Sequence, residues 1–305
     1  MIYTLTTNPA VDVNITSDDL RSDKINRTRD AVYSPNGKGL NVSFTLAHYG
    51  VDSQILGFFG GFTGNYIVEG ASKICPVKPV WIDGITRLNV FLKVGDKEYD
   101  QVNAGAPVSR EAQLQMIELI DNLDDLDCLI ISGSLPPHID PSYYDELIDI
   151  VQAKGAEFVL DISHPCLVHL IERKPLLIKP NDDELADIFG VNVSSEQDFV
   201  DALHMLHERG AQNILLTLGA DGAYFYDGQQ VYHATAVKVP VLSTACAGDA
   251  TLASFLSVWK DRRNKVEDAL SRAMATGANV AMSAGLGDFA LVDELSAQIK
   301  VSQIG

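Results

Sequence analysis

The sequence has little positive charge to spare. It sets 23 Lys and Arg against 41 Asp and Glu, for a net charge of -18 and a pI near 4.6. A surface this acidic repels a phosphate backbone, so nucleic acid is excluded as a partner. A small phosphorylated ligand is not excluded, because it needs only a few cations aimed at one spot. Cysteine is scarce too. Cys75, Cys128, Cys166 and Cys246 show no close pair of metal-ligand or redox spacing. Cys128 stands in the apolar run Cys128-Leu129-Ile130-Ile131 and is expected in the core. No apolar run is long enough to span a bilayer, and Met1-Ile2-Tyr3-Thr4-Leu5 lacks the basic lead and long apolar stretch of a signal peptide. The expectation is a soluble cytoplasmic protein with reduced thiols and no membrane partner. Two nucleotide motifs are also missing. Gly37-Lys38-Gly39 lacks Walker A spacing, which excludes a P-loop enzyme, and no G-x-G-x-x-G follows the first strand, which disfavours a dinucleotide-dependent oxidoreductase. His204 and His207 share a helix face, but two ligands do not close a metal site.

What the chain does have is a strand–helix rhythm and enough apolar residues, 46%, for a large core. The first strand is expected at Ile2 to Thr6, ending in the turn Thr7-Asn8-Pro9-Ala10. Residues 13–34 read as a small β excursion. The segments Leu88 to Val94 and Glu98 to Asn103 read as a hairpin around Gly95-Asp96-Lys97. Lys38 to Tyr49 has helical spacing and stops at Gly50. From Ser109 onward helices and strands alternate. Helices are expected at Ser109 to Leu123, Asp140 to Lys154, Ser163 to Arg173, Asp182 to Phe189 and Ser195 to Arg209. Strands are expected at Cys128 to Ser132, Glu157 to Asp161, Leu176 to Lys179 and Asn213 to Leu218. A second hairpin surrounds Asp227-Gly228, and the chain after Asp249 reads as helical almost to its end. Such alternation implies an α/β fold with a mostly parallel sheet covered by helices on both faces.

The stretch Thr244-Ala245-Cys246-Ala247-Gly248-Asp249-Ala250 precedes an apolar helical pattern. Small residues at a helix N-terminus let an anion approach unpaired N–H groups. Asp249 there is either a general base beside a phosphoryl cradle or a helix cap. Lys38 stands in the first turn of its helix, where the dipole opposes a cation, and a buried anion at the same place would remove the conflict.

Cys246-Ala247-Gly248-Asp249 resembles the Gly-Ala-Gly-Asp signature of the PfkB (ribokinase-like) carbohydrate kinases. Four more blocks agree in order: Asn8-Pro9-Ala10-Val11-Asp12, Gly37-Lys38-Gly39-Leu40-Asn41-Val42, Lys179-Pro180-Asn181-Asp182-Asp183-Glu184-Leu185 and Leu218-Gly219-Ala220-Asp221-Gly222-Ala223. The resemblance runs over nearly the whole chain. It implies a ribokinase-like domain over 1–305 with a small β lid from about 13–34 and 87–106, often a homodimer surface. It also implies transfer of the ATP γ-phosphate to a sugar phosphate, most simply fructose 1-phosphate. Tagatose 6-phosphate is the alternative substrate, and a catalytically silent sugar-phosphate sensor the alternative of another class. The resemblance makes Asp249 the base within the cradle of Cys246, Ala247 and Gly248. Asn181 and Glu184 would organise Mg²⁺. Lys179, Thr217, Gly219, Gly222, Gly248 and Asn279 would meet ATP. Asp12, Gly37, Asn41 and Arg27 would meet the sugar, with Lys38 and Arg87 at its phosphate. Asn36 and Cys246 depart from the family pattern, which has glycine at both positions. Asn36 is expected to keep the turn because Asn tolerates a left-handed backbone.

Overall fold

A computed structural model describes residues 1–95 and 97–304. The chain opens with β1 (Ile2–Thr6), β2 (Ala10–Ser17), β3 (Thr28–Asn36), α1 (Lys38–His48), β4 (Ser53–Phe59), α2 (Gly61–Ala71), β5 (Val77–Trp81), β6 (Arg87–Val94) and β7 (Lys97–Gln101). It continues through α3 (Arg110–Asp121), β8 (Cys128–Ser132), α4 (Tyr143–Ala153), β9 (Glu157–Asp161), α5 (Leu167–Leu170), β10 (Leu177–Ile178), α6 (Asp182–Phe189), α7 (Glu196–Glu208) and β11 (Ile214–Thr217). The last elements are β12 (Ala223–Tyr226), β13 (Val231–Ala234), α8 (Ala247–Trp259), α9 (Val266–Ala281), α10 (Val292–Ser296) and β14 (Val301–Gln303).

Ten strands form one sheet in the order β14-β13-β12-β11-β10-β9-β8-β1-β4-β5. From β11 to β5 every pairing is parallel, while β12, β13 and β14 run antiparallel at one edge. The central strands are apolar on both faces because both faces are covered. Alternate residues of β1 and β8 serve different cores. Tyr3, Leu5, Leu129 and Ile131 pack with α3, α4, α6 and α7, whereas Ile2, Cys128 and Ile130 pack with α1, α8 and α9. Each such buried side chain contributes about 1.5–3 kcal/mol. Cys128 is buried as expected.

A second sheet has the order β3-β2-β6-β7, with β2 and β6 parallel and the outer pairs antiparallel. It is longer at its base than expected, because its strands already begin at Ala10 and end at Asn36. Its register sets Ala10 beside Asn36 and Arg87, and Asp12 beside Asn89. Of the expected hairpin turn, Asp96 lies outside the described residues.

Three expectations need correction. The chain after α8 is not helical to its end, since β14 adds an edge strand beside β13; three residues are too short to show a period. The helix expected over Ser163–Arg173 is only α5 plus one 3-10 turn, Ile171–Arg173. Asn36 does not take a left-handed backbone but ends β3, and Gly37 makes the turn with φ 151°. The unit β4-α2-β5 had no assignment from sequence.

Candidate active site

The parallel strands end where α1, α6 and α8 begin, and these three N-termini border one cleft of about 390 Å³. Its lining includes Gly37, Lys38 and Asn41 from α1, Asn181 and Glu184 at α6, and Cys246, Gly248 and Asp249 at α8. Convergent helix N-termini favour an anion, through their unpaired N–H groups and dipoles. Glycines allow this closeness. A Cβ on Gly39 would stand 2.9 Å from the Leu5 carbonyl, so α1 rests directly on β1.

Behind the lining residues Lys38 and Lys179 lies Asp161, the last residue of β9, 1% exposed. Its carboxylate oxygens stand 3.0 Å from Lys38 Nζ and 3.1 Å from Lys179 Nζ. Burial pushes its pKa up, but Lys179 and Lys38 outweigh that and hold it below the ordinary carboxylate value. Lys38 Nζ is also 3.9 Å from Asp249 Oδ1. Burial opposes the Lys38 charge, and Asp161 and Asp249 more than restore it, so its pKa is raised. A Cβ at position 248 would come 3.6 Å from Lys179 Nζ, so glycine there leaves room beside this ammonium.

Asp249 stands in the first turn of α8 and is buried. Burial raises its pKa to about 6, against the pull of Lys38, with Asp161 adding to the rise. Its Oδ2 accepts a hydrogen bond from Asn41 Nδ2 at 2.9 Å. The N-cap position of α8 belongs to Cys246, not to Asp249. The same Asn41 nitrogen faces Asn36 Oδ1 at 2.9 Å and Cys246 Sγ at 3.3 Å. Asn36 in turn donates to one oxygen of Asp12, and Asn89 donates to the other at 2.9 Å. Asp12 is thereby fixed at the base of the small sheet. Burial raises its pKa while Asn36, Asn89 and Arg87 oppose the rise. Arg87 donates to the carbonyls of Asn103 and Asn8, both at 2.9 Å, and its buried Nε has no partner among the described residues.

Asn181 and Glu184 form a reciprocal capping box on α6: Glu184 N–H donates to Asn181 Oδ1 at 2.7 Å and Asn181 N–H donates to Glu184 Oε2 at 3.1 Å. Glu184 Oε1 accepts from Ser163 Oγ. The capping box by itself gives both side chains a structural role at this helix start. Both side chains still border the cleft. Among the described residues no three His, Cys, Asp or Glu side chains converge to enclose a metal.

Thr217, at the end of β11, borders the cleft, and Gly219 follows it in a 3-10 turn. Six expected residues, Asp12, Ala247, Gly219, Gly222, Asn279 and Arg27, are not among those bordering the cleft. A Cβ on Gly222 would lie 2.1 Å from the Ala234 carbonyl, so this glycine serves strand packing, and Gly219 faces open space. Asn279 is buried and accepts from the Leu291 N–H at 2.9 Å, tying α9 to the segment before α10. Arg27 is exposed at the outer end of β3, roughly 30 Å of strand from Asn36 at its base. The sequence reading missed Asp161 and Asn89. Asp161 could have been found as the strand-end acid of an open α/β sheet. Asn89 could have been found by alternation, two residues beyond Arg87 on the same face of β6.

The model of the pfkB family carbohydrate kinases matches residues 6–292. The chain belongs to this family. It is 48% identical over 305 residues to the D-tagatose-1-phosphate kinase of Klebsiella oxytoca, covering all of both chains. It is 33% identical over 306 residues to the 1-phosphofructokinase of Bacillus subtilis, again covering all of both. Phosphofructokinase-2 from Escherichia coli, solved in complex with fructose-6-phosphate, superposes with a TM-score of 0.88 at 25% identity, covering 97% of this chain and 98% of that one. The two-sheet architecture is therefore ribokinase-like, and this pfkB member is a sugar-phosphate kinase, a phosphotransferase with a hydroxyl acceptor. Among the described residues no helix is long and apolar enough to cross a membrane.

Proposed function

We propose that the chain transfers the γ-phosphate of ATP to the free primary hydroxyl of a ketohexose 1-phosphate, with D-tagatose 1-phosphate first and D-fructose 1-phosphate second. The observation that carries the choice of sugar is the end-to-end identity of 48% with a D-tagatose-1-phosphate kinase, against 33% with a 1-phosphofructokinase. The sequence expectation had D-fructose 1-phosphate first. The two sugars differ only in the direction of one ring hydroxyl, so the same reaction geometry serves both.

Asp249, with its pKa near 6, takes the proton of the acceptor hydroxyl. The acceptor oxygen bonds the γ-phosphorus, the bond to the β-phosphate oxygen breaks, and ADP leaves. First-turn N–H groups of α8, with Lys38 and Lys179, stabilise the charge on the transferring group. Lys38 Nζ stands 3.9 Å from the base, so it belongs at the transfer centre. The acceptor's own phosphate lies at the other end of a six-carbon chain, and the Arg87 guanidinium, which borders the cleft, suits that end by charge. Asp12, held by two carboxamides, accepts from sugar hydroxyls.

Mg²⁺ fits the donor chemistry of the site: Glu184 and Asn181 offer hard oxygens, and Mg²⁺ is usually held by one or two carboxylates with waters and substrate phosphates. When bound it neutralises phosphate charge. The small sheet acts as a lid over the acceptor end, supported by Asp12, Asn36, Arg87 and Asn89 at its base. Exposed Ile25, Val32 and Tyr33 around β3 favour a homodimer through that lid.

The test is ADP release with Mg-ATP across D-tagatose 1-phosphate, D-fructose 1-phosphate and the two corresponding 6-phosphates. The 1-phosphates should give the higher kcat/KM. A preference for a 6-phosphate, or no turnover at all, refutes the reading, and the second result points to a silent sugar-phosphate sensor.

A further inference from the structure

Asn36, at the end of β3, and Cys246, at the start of α8, lie 210 residues apart in sequence and meet at one atom. Asn41 Nδ2 faces Asn36 Oδ1 at 2.9 Å and Cys246 Sγ at 3.3 Å while also donating to the base at 2.9 Å. That nitrogen has two N–H bonds for three acceptors, of which the sulfur is the weakest. Both residues border the cleft. Both also depart from the glycine pattern of the family signature. Cys246 does so against its backbone, with φ 66° as the residue preceding α8, a conformation that glycine takes freely. A residue kept in such a conformation beside an active site points to a role for its side chain.

The surroundings say what the role is. The Cys246 thiol is raised to about 12 by burial, then by Asp249 and Asp12, so it is neutral and stands within the field of both carboxylates. Asp249 is the proton acceptor and Asp12 the anchor for sugar hydroxyls in the function proposed above. The thiol, which shares the Asn41 nitrogen with Asp249 and borders the same cleft, lies on its acceptor side. On the same side, Asn36 uses its carboxamide fully, accepting from Gly37 N–H at 2.6 Å and from Asn41, and donating to Asp12. Glycine at both positions would leave this wall open and Asp12 without one of its two donors.

We infer that Asn36 and Cys246, coupled through the Asn41 carboxamide, form a wall that selects among epimeric ketohexose phosphates. A hydroxyl turned toward Asp12 finds a strong acceptor. A hydroxyl turned toward the sulfur loses water and gains only a weak partner, which disfavours that epimer. The assignment of the sugar side rests on the function proposed above.

The experiment measures dissociation constants of D-tagatose 1-phosphate and D-fructose 1-phosphate by calorimetry for the parent, Cys246→Gly, Asn36→Gly and the double variant. The ratio of the two constants should shift about tenfold or more in each single variant. The double variant should fall short of the product of the two shifts, because both act through Asn41. Cys246→Ser, which keeps the volume and adds a good hydrogen-bonding group, should move the ratio without the space change, and Asn36→Ala reads the same ratio if the glycine variant melts early. A ratio unchanged within about twofold in folded variants overturns the wall, even if both affinities fall together. Turnover of the parent is scored separately: binding without turnover refutes the kinase reading and leaves the ratio to judge the wall. A parent that binds neither sugar refutes both.

Discussion

Replacing Asp249 by Asn should cost activity and return stability, and the two effects have one cause. The carboxylate is buried, and its pKa rises from 3.8 to about 6 despite Lys38 nearby. A pKa raised in the folded state means that ionising the group opposes folding. Below the unfolded value, near 4, both states are protonated and nothing is lost; as pH climbs through 6 the folded state carries the full penalty. A rise from 3.8 to about 6 amounts to roughly 3 kcal/mol. Asn at this position can still accept the Asn41 hydrogen bond and never ionises. Urea melts at pH 8 should therefore show Asp249→Asn more stable than the parent by up to about 3 kcal/mol, and melts at pH 4 should show no such gain. At the same time kcat should fall about 10²–10⁴-fold, the usual loss for a general base. In the parent, kcat/KM should rise with pH through about 6 as the base deprotonates. Normal turnover by the variant refutes the base. A stability change that is the same at both pH values refutes the argument from burial.

Lys38 and Arg87 should separate in kinetics. Lys38→Met removes a charge 3.9 Å from the base and should lower kcat about ten- to a hundredfold, whereas Arg87→Met should raise KM for the sugar phosphate by a similar factor. A rise in sugar KM alone for Lys38→Met would return that lysine to the acceptor phosphate. Glu184→Gln should shift the Mg²⁺ titration of activity to higher concentration, while the Gln carbonyl oxygen still accepts from Asn181 N–H and keeps the capping box; superimposed Mg²⁺ curves would leave Glu184 as a cap alone. Asp161→Asn leaves two ammonium groups without their shared carboxylate, and removal of one buried ionic partner typically costs about 3–5 kcal/mol. The melt should show a loss of that order at neutral pH, and a variant as stable as the parent would mean that Lys38 and Lys179 find other partners.

The sequence by itself determined the periodic parts of this protein. Buried parallel strands are apolar without interruption, as in Cys128-Leu129-Ile130-Ile131, and helices carry their own stops, as at Gly50 and Gly190. The helix starts that border the cleft were legible for the same reason: Lys38 against its dipole and small residues before Asp249 are local signals. Tertiary structure alone decided what meets what. Asp161 is one acid among many in the sequence, and its pairing with both Lys38 and Lys179 exists only because β9 and β10 end side by side against α1. Asn279 and Gly222 look like site residues until packing ties them to Leu291 and Ala234. β14 has no periodicity to read in three residues and forms only because the edge of β13 is free to receive it. Local propensity and period act over a few neighbours and are written in order along the chain. The convergence of Asn36, Asn41 and Cys246 depends on the docking of α8 against α1, a long-range contact that no window of sequence contains.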